Sequence, residues 1–148
     1  MLTIHKITTR EQLAIHAPAD SLAEFLHEHL DQFTDRQQAI EKAIDYALAE
    51  DGGKGGVVLL AREGGETVGA VVVNDTGMRD YVPPHLLVYI AVKKTSRGQG
   101  IGRKLMEAAK ESCPGGIALH VEYDNPARFL YEKLGFSSKY AEMRWNWS

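Results

Sequence analysis

The sequence is poor in the features that mark several classes of protein. Cys113 is the only cysteine, so no disulfide can form within the chain and a reducing compartment is expected. It stands beside Pro114 and Gly115 at a predicted helix end, without the electropositive surroundings of a reactive thiol, and reads as structural. No apolar run reaches membrane length, and the N-terminus lacks the charged-then-apolar layout of a signal peptide, so a cytoplasmic protein is expected. Neither sign of charge dominates: 17 Lys and Arg against 20 Asp and Glu leave a formal net charge of −3, mixed along the chain. That balance argues against a broad nucleic-acid surface and against a polybasic membrane anchor. No His/Cys cluster has ligand spacing, so no metal is expected. Internal repeats and long linkers are also missing.

What remains is a chain of 148 residues, 44% hydrophobic and 25% charged, which suits one domain with a continuous core. Leu2 to Ile7 reads as a first strand. Ser21 to Glu24 has capping-box spacing, and Leu22, Phe25, Leu26, His29 and Leu30 follow on one helical side. Thr34 to Gln37 repeats the capping pattern before Ile40, Ala43, Ile44, Ala47 and Leu48, and the glycine-rich Asp51 to Gly56 ends that helix. The period then changes. Val57 to Ala61 and Thr67 to Val73 are β-branched runs joined by a hairpin turn, and Leu86 to Val92 is an apolar strand for the sheet centre. A helix carrying Ile101, Leu105, Ala108, Ala109 and Ser112, a strand from Ile117 to Tyr123 and a helix opened by Asn125-Pro126 come next. That last helix turns Ala127, Leu130, Tyr131 and Leu134 inward and stops at Gly135. From Phe136 the chain reads as extended, with Met143, Trp145 and Trp147 alternating against Arg144 and Asn146. The expected order is β-α-α-β-β-β-α-β-α-β, a mixed sheet flanked by helices in one domain over residues 1–148.

Chemistry concentrates between Val92 and Lys104. A strand ends there, and Gly98, Gly100 and Gly102 open a helix. Glycines let the backbone approach a ligand closely, and a helix start offers unpaired N–H groups and a positive dipole end to a phosphate. Arg97, Arg103 and Lys104 add positive charge. The P-loop pattern is absent. The dinucleotide fingerprint fails too: its third glycine falls on Arg103, and too many residues separate Val92 from Gly98 for its tight turn.

Arg97-Gly98-Gln99-Gly100-Ile101-Gly102 resembles the Arg/Gln-x-x-Gly-x-Gly/Ala loop of the GNAT N-acetyltransferases. Asn125 to Phe136 resembles that family's second signature, Asn-x-x-Ala-x-x-Leu-Tyr-x-x-Leu-Gly-Phe, in the family's order and at its usual separation. The resemblance spans Leu86 to Phe136. It implies a single-domain GNAT-type α/β (α+β) fold with a central mixed, mostly antiparallel sheet flanked by helices. It also implies acetyl-CoA as co-substrate and transfer of its acetyl group, without a metal, to a primary amine of a small molecule or a peptide.

By the same resemblance, the loop from Arg97 through Gly98, Gln99, Gly100, Ile101, Gly102 and Arg103 to Lys104 holds the pyrophosphate. Ile90, Ala91 and Val92 serve the pantetheine arm beside a bulge, and a backbone N–H near Ile90 stabilises the oxyanion. Asn125 contacts the pantetheine region, Arg128 reaches a phosphate, and Tyr131 protonates the departing thiolate. Two positions depart from the pattern: Lys94 replaces a common proline, and Leu86 stands where some relatives carry a glutamate base. His85, His120 and Glu122 are the remaining candidate bases. Acceptor recognition is expected from His27 to Asp35, Asn74 to His85 or the C-terminal strands, with Glu28, Asp31, Asp35, Asp75 and Asp80 as carboxylates for a cationic amine. A homodimer is left open, and neither nucleic acid nor membrane is expected as a partner. The competing reading is an acetyl-CoA-binding module that regulates a partner without turnover; retention of Tyr131 argues for catalysis.

Overall fold

In β2 (Gly56–Glu63), Val58 and Leu60 face one side of the sheet and Val57, Leu59 and Ala61 the other, and all are buried. In β3 (Glu66–Asp75), Ala70 and Val72 join the first set, while Val68, Val71 and Val73 join the second. Strands buried on both faces need cover on both faces, and that requirement organises the chain. The computed structural model describes residues 1–18 and 20–147. Its elements are β1 (Thr3–Ile7), α1 (Arg10–His16), α2 (Ser21–His29), α3 (Gln37–Ala47), β2, β3, β4 (His85–Val92), α4 (Ile101–Ser112), β5 (Ile117–Leu119) and α5 (Ala127–Lys133). Single 3-10 turns lie at Asp31–Phe33 and Lys94–Ser96.

The sheet runs β1-β2-β3-β4-β5, antiparallel except for the parallel β4–β5 pair. Gly64 and Gly65, at φ 59° and 76°, make the two-residue turn between β2 and β3, a conformation that glycine adopts without strain. Leu22 and Leu26 of α2 and Ile40 and Ile44 of α3 cover one face. Leu105, Met106 and Ala109 of α4 cover the other, with Tyr131 of α5.

Several expectations need correction. Helix α1 has no counterpart in the sequence reading. Only Leu13 within it is buried, too little for a periodic stripe; Thr9 caps it by accepting from the Gln12 N–H, and Arg10 ties it to Asp45 and Glu50 at 2.6 Å each. Neither capping box forms. Ser21 donates its hydroxyl to the Pro18 carbonyl at 2.7 Å, and α2 starts behind Asp20 at φ 66°. Ahead of α3, the Thr34 hydroxyl donates to Asp35 O at 2.9 Å and the helix starts behind Arg36, while the Asp35 carboxylate accepts from the distant Tyr89 hydroxyl. The strand expected over Ile117 to Tyr123 ends at Leu119. The C-terminal segment pairs with no strand through residue 147; Tyr140, Met143, Trp145 and Trp147 are exposed.

Candidate functional site

Strand β4 has unequal sides. It pairs with β3 along its whole length, but with β5 only where His85, Leu86 and Leu87 meet Ile117, Ala118 and Leu119. Beyond Leu87 the two parallel strands part and leave a wedge. A bulge coincides with the parting: Val73 pairs with Leu87 and Val72 with Tyr89, so Val88 has no partner on β3. Val88 and Tyr89 consequently pack on the same face, and Ile90 returns to the other. The Lys93 N–H donates to Val68 O at 2.8 Å. By antiparallel alternation Ala91 and Tyr89 also turn their backbone groups to β3, and Ile90 and Val92 turn theirs to the wedge.

At the end of β4 the chain makes its 3-10 turn and enters the glycine loop. Gly98 and Gly100 adopt φ 83° and 80°, with nothing within 4 Å of where a Cβ would stand. Their backbone is therefore open to an approaching ligand, and a side chain there would meet strain instead of crowding. Gly102 differs: a Cβ would lie 3.6 Å from Leu130 Cδ2 and 3.7 Å from Val92 Cγ2, so its smallness seats α4 against α5 and β4. Gly100 is the N-cap of α4 without a side-chain cap, and Lys104 N–H to Gly100 O at 3.1 Å is the first helical bond. The N–H groups of Ile101, Gly102 and Arg103 thus form the positive end of the helix. Lys104 is exposed nearby, Gln99 is exposed in the loop, and Arg103 lies 3.4 Å from Glu107 one turn on.

Arg97 serves differently from the expectation of a simple phosphate cation. Its guanidinium donates to Val92 O at 3.1 Å, to His29 O at 2.7 Å and to Asp31 Oδ2 at 2.8 Å. Lys94 adds a second cation 3.2 Å from Asp31, and its N–H donates to Nδ1 of the buried His29 at 3.2 Å. The loop is therefore fastened to the α2–α3 turn. Arg97 holds the Asp31 carboxyl below its ordinary range, while burial pushes the His29 imidazole below its own. These partners lie 65 and 66 residues apart, so no local sequence signal announces them. A hollow of about 380 Å³ touches the same region between Phe25, His29, Thr67 and Lys93, but on the β3 flank of β4, away from the wedge.

Tyr131 of α5 is 7% exposed and shares an apolar cluster with Leu87, Ile90, Val92 and Leu119 along the wedge. Burial, reinforced by the Glu122 carboxylate, pushes its phenol up to about 12, so it stays protonated. Asn125 Oδ1 accepts from the N–H of Ala127, the first residue of α5, at 2.9 Å, while Pro126 holds the N-cap position. Arg128 is half-buried and donates to Tyr123 O at 3.3 Å. The candidate bases are scattered. Both nitrogens of His85 are engaged, with Asp75 at 2.7 Å and Pro114 O at 3.0 Å. His120 is exposed near Glu142, and Glu122 is exposed near Tyr131. Burial raises the Cys113 thiol to about 11, in keeping with a packing role. Among the described residues no helix is long and apolar enough to cross a membrane.

This geometry has relatives. The acetyltransferase (GNAT) domain matches residues 54–138, more than half of the chain. No curated protein matches by sequence. Among solved structures, an aminoglycoside acetyltransferase from an uncultured soil metagenomic sample superposes with a TM-score of 0.68 at 20% identity, covering 100% of this chain and 99% of that one. A GNAT-family acetyltransferase of Streptococcus pneumoniae gives 0.69 at 20% identity over 99% and 98%. An aminoglycoside N-acetyltransferase in complex with CoA gives 0.67 at 14% identity over 99% and 94%. At these identities the structures speak for the fold, and the domain match speaks for the family. The chain belongs to the GNAT family and is an acyl-CoA-dependent N-acetyltransferase.

Proposed function

We propose that residues 1–148 act as one domain that transfers the acetyl group of acetyl-CoA to a primary amine by direct attack in a ternary complex. The observation that carries this reading is the wedge between β4 and β5, with the open glycine loop and the α4 N-terminus at its end. The pyrophosphate is assigned to the N–H groups from Gly98 to Arg103, with Lys104 and Arg103 as cations and Arg97 bracing the loop from behind. The pantetheine arm then runs along Ile90, Ala91 and Val92, bordered by Asn125, with Arg128 beside the phosphates.

The amine nitrogen attacks the thioester carbonyl, a C–N bond forms, the C–S bond breaks, and the sulfur leaves as a thiolate. The Ile90 N–H, turned into the wedge, is the donor for the developing oxyanion, a contribution of about 3–4 kcal/mol in acyl transfer. Holding both reactants in line supplies much of the rest. The Tyr131 phenol at about 12 is a weaker acid than a thiol at about 8.5, so its part is a hydrogen bond to the thiolate. Any proton it gives is restored by the one the amine releases. The neutral amine is the attacking form, and its proton departs through water, since His85 has no free nitrogen. The test is CoA release measured with acetyl-CoA and a panel of amines and peptides, alongside a melting curve with acetyl-CoA. Stabilisation plus amine-dependent CoA release is expected; no stabilisation at millimolar acetyl-CoA removes the reading.

A further inference from the structure

The α2–α3 turn carries two carboxylates with opposite circumstances. Asp31 is saturated by the cations of Arg97 and Lys94. Asp35 faces no cation among the described residues: its Oδ2 accepts from the Tyr89 hydroxyl at 2.6 Å, and its Oδ1 has no hydrogen-bond partner there. The tyrosine is buried and belongs to the bulge where the wedge opens, one residue from Ile90. A neutral phenol fixes the carboxylate in place without cancelling its charge. The result is an exposed, immobilised negative charge on the face of the sheet opposite α4, beside the point where the strands part.

We propose that Asp35 selects the acceptor by receiving a second cationic group of a diamine or polyamine whose other amine reacts beside Ile90. The inference rests on the acetyl-transfer reading above. Separation decides between this role and that of a base. A whole tyrosine side chain and a hydrogen bond stand between Asp35 and the β4 backbone, so the carboxylate is too far away to take a proton from an amine attacking there. An ion pair with the reacting nitrogen would also hold it in its unreactive ammonium form. A second ammonium escapes both objections and anchors the substrate while the reacting amine is free to deprotonate. Asp35 is then a specificity residue, and Tyr89 the residue that positions it.

The test compares cadaverine with n-pentylamine, and putrescine with n-butylamine, in wild type, Asp35→Asn, Asp35→Glu and Tyr89→Phe. Asn keeps an acceptor for the Tyr89 hydroxyl, so the turn stays tied while the charge is lost. Wild type is expected to show a diamine KM lower than the monoamine KM by roughly tenfold or more, the worth of a charged hydrogen bond. Asp35→Asn should bring that ratio near one, Asp35→Glu should restore part of it, and Tyr89→Phe should leave an intermediate ratio. Calorimetric titration of cadaverine into the protein–CoA complex reads the same contact without turnover and should weaken in Asp35→Asn. A wild type with no diamine preference in both assays overturns the proposal, as does a preference or a titration that Asp35→Asn leaves intact. The absence of acetyl-CoA binding and of CoA release with every amine would instead overturn the acetyl-transfer reading, whereas acetyl-CoA binding and CoA release without a diamine preference overturn the role of Asp35 alone.

Discussion

The two flanks of β4 teach different lessons about one strand. On the β3 flank every position from His85 to Val92 but the bulged Val88 has a partner, and the side chains of Val71, Val72 and Val73 are fully buried. On the β5 flank pairing stops after Leu87; the Val92 carbonyl is taken by Arg97, and the backbone groups of Ile90 are left turned to the wedge. A sheet spends most of its backbone hydrogen bonds on stability, and it can present such groups to a ligand only where a neighbouring strand leaves. The closed flank should therefore respond to mutation in stability alone, and the open flank in function.

Tyr131→Phe probes the open flank most sharply. Turnover is expected to fall by about 10–10²-fold, the worth of a lost hydrogen bond to a charged group, with acetyl-CoA affinity nearly unchanged. Equal rates for the two proteins at several pH values would take Tyr131 out of the mechanism. Gly100→Val should lose the stabilisation by acetyl-CoA, about 2.7 kcal/mol at a hundredfold excess over Kd. A branched residue at φ 80° should also cost about 1–2 kcal/mol in the unliganded protein. Undiminished stabilisation in a melting experiment would move the pyrophosphate elsewhere. On the closed flank, Val72→Thr buries a hydroxyl among apolar neighbours and should cost about 1–3 kcal/mol in denaturant unfolding. Its acetyl-CoA KM should stay at the wild-type value, and a large rise would blur the distinction between flanks.

The smallest effect joins the flanks through pH. Burial lowers the His29 pKa from 6.5, so the folded protein favours the neutral ring, whose Nδ1 accepts from the Lys94 N–H. Its contribution is complete above 6.5 and is lost as the pH falls through that value toward the lowered one. Melting temperature and acetyl-CoA affinity should both decline over that window, and His29→Asn should flatten the decline. Parallel pH curves for the two proteins would assign the decline to other groups.

The elements that carry the glycine loop were legible because their signals are local. β-Branched runs marked β2 and β3, a continuous apolar run marked β4, and glycines between strand and helix marked the phosphate loop. The contacts that fasten this loop were not legible, since Arg97 meets His29 and Asp31 only after the chain has folded back across one helix and three strands. The start of α3 shows why a local rule failed. Thr34 to Gln37 had capping spacing, but the Thr34 hydroxyl donates to the Asp35 carbonyl and the helix begins behind Arg36. The short β5 was misjudged for a related reason: apolar character continues through Val121, yet it packs toward Tyr131 instead of pairing with a strand. Alternation in the C-terminal segment is not matched by any strand pairing, and its large side chains stay exposed.

That segment has a spectroscopic consequence. Trp145 and Trp147 are the only tryptophans of the chain, they are 80% and 88% exposed, and their rings meet edge to face at 5.8 Å. Indole emission from this protein therefore originates in water, at the red end of its range, and says little about the core. Denaturation followed by tryptophan fluorescence should barely register the melting of the sheet, whereas circular dichroism should report it in full. The same separation makes the two indoles a natural reporter group: whatever covers the C-terminal segment, be it substrate, partner or second copy, should shift the emission to the blue while the dichroism stays unchanged.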